Sequence, residues 1–386
     1  MTDPSVARAN NFQLLRFALA ITVIWSHSFE LRGGRPAPGF GRLGINLGSL
    51  AVNGFFLLSG YLITQSWARD PRLGVFLAKR VRRIYPGFLV AFLVSVAVFG
   101  PLGAADRSTY WTSLSWGSTV VGALTLTTPE TPPVFAPIVP PLVNGSLWTI
   151  RYEFGCYLVI AVLGSLGGVR RRVVVAGLAG LVGLAAAIEG WTGPLAAGGP
   201  GAALLTPVPR LLTYFLVGSC FSLFRDRLEW TRSPRAALGC GIALVAAWWA
   251  DRAVGQAVFP LLGGCLLFAT AFARLGPTWG SVNRWPDFSY GLYLYAWPVE
   301  GLLYHRWPTL VPVAGFLLTL PLAAALGLAS WYGVEQPATR GRKPLHLGPR
   351  IGAARMVWIR SWTSRSARRS HGRASIFRVP SSRRRP

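Results

Sequence analysis

Ten apolar runs dominate this chain, each close to the ~20 residues a helix needs to cross the roughly 30 Å hydrocarbon core of a bilayer. They occupy 11–31, 47–67, 84–103, 146–166, 172–188, 205–223, 236–250, 256–273, 287–304 and 311–333. Inside a bilayer, backbone amides and carbonyls have no water to bond, so such runs are confined to helices. The expected fold is therefore all-α: a polytopic membrane protein of about ten transmembrane helices. Composition agrees, with 52% hydrophobic and only 13% charged residues. The runs at 172–188 and 236–250 are the shortest. No small-residue cleavage site accompanies the first run, which does not read as a cleavable signal peptide.

Arginine and lysine set the expected orientation, because cytoplasmic loops retain them. With the N-terminus inside, inner loops hold Arg69, Arg72, Lys79, Arg80, Arg82 and Arg83, then Arg170 to Arg172. Arg225, Arg227, Arg232, Arg235, Arg274 and Arg284 follow on the same side. Outer loops hold only Arg32, Arg35, Arg42, Arg107, Arg252 and Arg306. An even number of spans brings the C-terminus inside as well, so both termini are expected to be cytoplasmic.

The net charge of +26 suggests nucleic acid at first sight, but 14 Lys and Arg lie after Thr339, where there is no acidic residue. Residues 341–386 form a basic tail rich in Ser, Arg and Gly, expected to be disordered and to favour the anionic inner leaflet. No folded basic module accompanies it, so nucleic acid is not an expected partner. The membrane domain is then 1–340. Cys156, Cys220, Cys240 and Cys265 show no metal-ligand spacing and read as small apolar packers, so neither a metal nor a disulfide is expected.

Within the apolar runs a few polar residues stand out. Arg16 and His27 lie eleven residues apart in the first run, about three helical turns plus 20°, hence on one face and roughly 16 Å apart. Arginine can snorkel to an interface, whereas histidine is too short and must meet protein or a water-filled cavity. A hydrogen-bonded structural histidine and a functional one both satisfy that requirement. In the second run Gly54 and Gly60 permit close helix approach and Ser59 can bond across helices. Arg80 and Arg83, three residues apart, project from one helical face, either as positive-inside charges or as a clamp for the phosphates of a cytosolic donor.

The segment from Gly103 to Asn144 is the longest outer loop; its Trp111 and Trp116 suit an interfacial segment or a lid. In the fourth run Ser146, Thr149, Glu153 and Tyr157 make a polar stripe, and Arg151 is on the wrong face to pair with Glu153. The ninth run carries Ser289, Tyr290, Tyr293, Tyr295, Glu300 and His305; the tenth closes on Glu335, Pro337 and Arg340.

Six of these stretches, in register over about 10–340, together resemble the integral-membrane acyltransferases of acyltransferase family 3. That family includes O-acetyltransferases of O-antigens, exopolysaccharides and related glycans. The matching stretches are Arg16 with His27, FFLLSGYLI (Phe55 to Ile63), Arg80-x-x-Arg83-Ile84-x-Pro86, SLWTIRYEF (Ser146 to Phe154), SYGLYLYAWPV (Ser289 to Val299) and VEQPATR (Val334 to Arg340). The resemblance implies that His27 is catalytic, that Arg16 supports it, that Arg80 and Arg83 face cytosolic acyl-CoA, and that Glu153 lines the reaction chamber. It implies a cell-membrane enzyme moving an acyl group, acetyl in the common case, to a hydroxyl of a glycan or other extracytoplasmic acceptor. One departure is Ala296, where many members carry a histidine.

Histidine suits this chemistry, since a base near neutral pKa is needed to activate a sugar hydroxyl against a thioester. His27 could equally carry the acyl group transiently. Glu153 could orient the imidazole or bind the acceptor. The competing function is a transporter or flippase of a lipid-linked or small polar solute, against which stands the lack of any evident repeat between the halves.

Overall fold

The computed structural model describes residues 10–33, 37, 46–136, 138, 140–170, 172–192, 207–273, 282 and 285–340. The basic tail at 341–386 and the loop residues Arg35, Arg42, Arg171, Arg274 and Arg284 lie outside the described residues. Among the described residues every regular element is helical.

The main helices are α1 (Phe12–Glu30), α2 (Leu47–Arg69) and α3 (Leu73–Val94), the last continued by a π-helical turn (Ser95–Phe99) and α4 (Gly100–Gly103). Two short helices follow, α5 (Arg107–Ser113) and α6 (Trp116–Thr125). Then come α7 (Ile150–Ser165), α8 (Arg172–Thr192), α9 (Pro207–Leu223), α10 (Pro234–Ala250) and α11 (Arg252–Phe272). The chain closes with α12 (Ser289–Arg306), α13 (Pro312–Ser330), a second π-helical turn (Trp331–Glu335) and α14 (Gln336–Arg340).

Among the described residues six helical stretches are long and apolar enough to cross a membrane: Phe12–Glu30, Leu47–Arg69, Leu73–Gly103, Gly145–Ser165, Arg252–Phe272 and Pro312–Arg340. Each of the other expected runs also forms a helix. Two of them, α9 and α10, have 17 residues each, about 26 Å of rise. By contrast, α12 carries Glu300, His305 and Arg306 within 18 residues, which dilutes its apolar character.

Local chemistry fixes the helix starts. Asn46 caps α2 by accepting from the Ser49 amide at 2.7 Å, and Asp251 caps α11 through the Ala253 and Val254 amides. Ahead of α5, Asp106 accepts from Ser108 Oγ and the Thr109 amide, both at 2.6 Å. The Ser108 hydroxyl and that amide hold its carboxyl down at about 2. Pro234 and Pro312 open α10 and α13, where no intrahelical donor is lost.

Gly60 seats α2 directly on α9. A Cβ there would lie 1.8 Å from the Phe215 carbonyl oxygen, and one on Gly218 would lie 2.1 Å from that of Leu57. The expected close approach at Gly60 is therefore a backbone-to-backbone crossing, with Ser219 Oγ donating to the Gly60 carbonyl at 3.3 Å. At the other side α1 packs against α2, α12 and α13.

The segment between Gly103 and Asn144 folds back on this bundle. Trp111 and Trp116 stack at 6.0 Å between centroids, 8° apart. Phe135, fully buried with φ +60°, fills a notch between Gly103 and Gly301, where an added Cβ would come within 2.3 and 2.7 Å of its ring. Its amide donates to the Gly103 carbonyl at 2.8 Å. Trp297 Nε1 donates to the Leu142 carbonyl at 3.1 Å, and Asn144 Nδ2 to Ser95 Oγ and the Leu294 carbonyl. The segment is thereby strapped along α12.

Candidate active site

A cavity of about 400 Å³ opens between α1, α2, α3, α7 and the start of α12. One wall is cationic (Arg16, Lys79, Arg80, Arg82, Arg83), one apolar (Val52, Phe55, Leu58, Leu62), and its depth is polar, with Ser59, Thr149, Glu153, Tyr157 and Tyr293. Four of the five expected site residues thus meet in one place. His27 is not among its walls.

Arg80 and Arg83 do share a helical face, but their surroundings differ. Arg83 Nη2 bonds Asp287 Oδ2 at 2.9 Å and its Nη1 lies 3.7 Å from Glu335 Oε2. Arg16 Nη1 bonds the same Asp287 oxygen at 2.8 Å. One carboxylate therefore ties α1 to α3 just ahead of α12. Arg80 instead reaches Ser66 Oγ at 3.1 Å and lies over the rings of Phe76 and Tyr157. At the mouth Lys79 is 3.4 Å from Asp70, whose carboxyl is held at about 2 chiefly by its hydrogen bond from Arg72.

Glu153 is bound by hydroxyls. Its Oε1 accepts from Ser59 Oγ at 2.7 Å and from Tyr157 OH at 2.5 Å. Among the described residues no hydrogen bond joins it to His27, so in this state it does not orient the imidazole. The expected cross-helix bond of Ser59 is realised, with Glu153 as its partner. Arg151 turns away to the Tyr152 hydroxyl at 3.2 Å. Deeper in, Thr149 and Tyr293 hydroxyls meet at 2.9 Å, and Phe55 packs edge-on to Tyr293 with centroids 6.0 Å apart.

Beyond that pair lies His27. α1 is unbroken from Arg16 to His27, so the two keep the separation of roughly 16 Å expected of eleven helical residues. The imidazole stands edge-on to Trp297, one helical turn past Tyr293, with ring centroids 4.8 Å apart. Its Nδ1 is buried with no hydrogen-bond partner. Around it, Ser26 Oγ and Asn46 Nδ2 donate to Glu30 at 2.9 and 2.5 Å. Ser28 Oγ donates to the fully buried Glu300, and Tyr304 OH to the Ser28 carbonyl at 2.9 Å. The face of α12 formed by Tyr290, Tyr293, Trp297, Glu300 and Tyr304 therefore runs from the cationic cavity past His27.

Ala296 is buried in a small apolar cluster with Ala20, Ile24 and Ala323, so that position offers no polar group here. The four cysteines are free thiols, three of them buried. Sequence reasoning missed Asp287 altogether. The available signal was an acid opening an apolar run, while Arg16 lay unpaired in another run.

Comparison with known proteins finds a family and two relatives for this chain. The sequence profile of an acyltransferase domain family matches residues 10–332. An O-acetyl transferase of Shigella phage Sf6 is 31% identical over 158 residues, 40% of this chain and 46% of that protein. Nodulation protein 10 of Rhizobium leguminosarum bv. viciae is 28% identical over 372 residues, 89% of this chain and 96% of that protein. The chain thus spans less than half the length of the first relative and nearly all of the second. No solved structure matches. Carried by a match over residues 10–332, the conclusion is that this chain belongs to acyltransferase family 3 and is a membrane acyltransferase.

Proposed function

We propose that the protein transfers an acyl group, acetyl in the simplest case, from cytosolic acyl-CoA to a hydroxyl of a glycan or similar acceptor on the far side of the cell membrane. In this reading all ten helical runs cross the membrane and both termini are cytoplasmic, which puts the cationic cavity on the donor side. The observation that carries the reading is the continuity of one helical face from Arg16 at the cavity to His27 beyond it. A cationic mouth with an apolar wall and a polar depth suits a phosphate-bearing headgroup followed by a thin arm. The wall that carries Arg80 and Arg83 faces the donor, Arg16 supports the same wall, and Glu153 lines the chamber the thioester enters.

His27 is the catalytic group. As general base it takes the proton of the acceptor hydroxyl while that oxygen attacks the thioester carbon. The C–S bond breaks, and the imidazolium returns the proton to the leaving thiolate. Carrying the acyl group itself on the ring is the two-step version of the same role. No metal enters either version. A transporter reading has no comparable support once the family is known.

The test is acyl-CoA consumption by protein purified into nanodiscs, with glycan acceptors supplied. His27→Gln keeps hydrogen bonding but accepts no proton near neutral pH, so turnover is expected to fall ~10²- to 10⁴-fold. Near-wild-type turnover of His27→Gln would overturn the catalytic assignment.

A further inference from the structure

We propose that the two inner arginines have different tasks: Arg80 binds the phosphate oxygens of the donor, and Arg83 is a positioning residue locked by Asp287 and Glu335. The proposal rests on the reading of the cavity as the donor site and divides the labour within it.

Arg83 is already saturated with charge. Asp287 bonds its Nη2 at 2.9 Å and Glu335 faces its Nη1 at 3.7 Å. Its guanidinium also lies over Tyr290 and Trp331, 5.9 and 5.6 Å from the ring centroids. Glu335 is almost fully buried and accepts from Ser330 Oγ at 3.1 Å. It ends the π-helical turn Trp331–Glu335, a local departure from the α-helix that recurs at functional sites. The same turn supplies Trp331, so it builds two sides of the cage. Gly87 lets α3 come close enough: a Cβ there would be 3.0 Å from Tyr290 and 3.1 Å from Glu335. To reach a phosphate, Arg83 would have to leave two carboxylates, and the phosphate would have to approach them.

Arg80 is the opposite case. Among the described residues it forms no ion pair. Its single hydrogen bond is to the neutral Ser66 Oγ, at 3.1 Å, and its Nε is buried with no partner. Phe76 and Tyr157 lie at 5.6 and 5.7 Å from the guanidinium carbon, which fixes the planar group on the cavity wall. Glu153, the carboxylate of that wall, has its Oε1 taken by Ser59 and Tyr157. A guanidinium with an unmet donor, aromatic support and no counter-ion is well suited to taking an anion. The phosphate or pyrophosphate of a nucleotide-type thioester supplies one.

The experiment measures coenzyme A binding by calorimetry and thermal unfolding on the full chain in nanodiscs. Arg80→Gln is expected to raise the dissociation constant for coenzyme A ten- to a hundredfold and leave the unfolding midpoint in place; Arg80→Lys recovers part of the affinity. Arg83→Gln is expected to lower the midpoint by several degrees while the dissociation constant moves less than threefold. Asp287→Asn should lower the midpoint too, without weakening coenzyme A. The Arg83→Gln/Asp287→Asn double variant should lose less than the two single losses together. If Arg83→Gln does not fold, Arg83→Lys and Glu335→Gln carry the same comparison. Equal loss of affinity in Arg80→Gln and Arg83→Gln would overturn the division of labour. Wild-type protein that fails to bind coenzyme A would overturn Arg80 as the phosphate ligand together with the donor-site reading, and the midpoints would still decide the role of Arg83.

Discussion

Tyr157→Phe removes one oxygen and leaves everything else at the candidate site. The ring stays beneath Arg80, 5.7 Å from its guanidinium carbon. What disappears is a hydrogen bond of 2.5 Å to Glu153 Oε1, leaving that oxygen only the 2.7 Å bond from Ser59. A hydrogen bond to a charged group contributes about 1.5–3 kcal/mol. At 1.4 kcal/mol per decade, that corresponds to a roughly 10- to 100-fold fall in kcat/KM if the chemistry depends on where Glu153 is held. Ser59→Ala should cost less, because the shorter bond remains. The double variant should lose more than the sum, since each donor partly substitutes for the other while it is present. Thiol release from acyl-CoA measures turnover, and a thiol-reactive dye on the buried cysteines follows unfolding. Wild-type kcat/KM in the double variant, with the fold intact, would show that Glu153 plays no part in the reaction.

Three further outcomes are expected. Gly60→Ala puts a Cβ 1.8 Å from the Phe215 carbonyl oxygen and should destabilise by ~1–3 kcal/mol or more; an unchanged unfolding midpoint would contradict the α2–α9 crossing. Trp297→Phe, which keeps an aromatic edge against His27, should retain more turnover than Trp297→Ala, and equal activities would show that the contact at 4.8 Å does not position the imidazole. A peptide of residues 343–386 should bind anionic vesicles in preference to zwitterionic ones, with binding falling as salt rises; salt-independent binding would count against lipid as its partner.

What could be read from the sequence was what depends on one helix at a time. The facing of Arg16 and His27, the shared face of Arg80 and Arg83, and the exclusion of an Arg151–Glu153 pair follow from 100° per residue alone. A seam at Gly60 was legible because a glycine in an apolar run leaves room for close backbone approach. Asp287 was different. Its partners are 271 and 204 residues away, and no periodicity links them. For Glu153, whether its partner is an imidazole or hydroxyls depends on how α2 crosses α7, which no single helix reveals. Glu335 lay at a helix end where the register is set by a π-helical turn, which a regular 3.6-residue pattern does not anticipate.

The contact between Thr149 and Tyr293, backed by Phe55, has a physiological consequence. A protein that takes a donor from one side of an energised membrane and an acceptor from the other is at risk of becoming a leak. In the proposed topology a continuous water column from the cationic cavity to His27 would let protons and small ions run down their gradients with every turnover. In that topology the hydroxyl pair and Phe55 would stand across such a column, and beyond them the imidazole abuts Trp297. An arm as thin as pantetheine could part such a seal and fill the gap it opens. The substrate would then serve as its own gasket, and the membrane would stay insulating while the thioester crosses it.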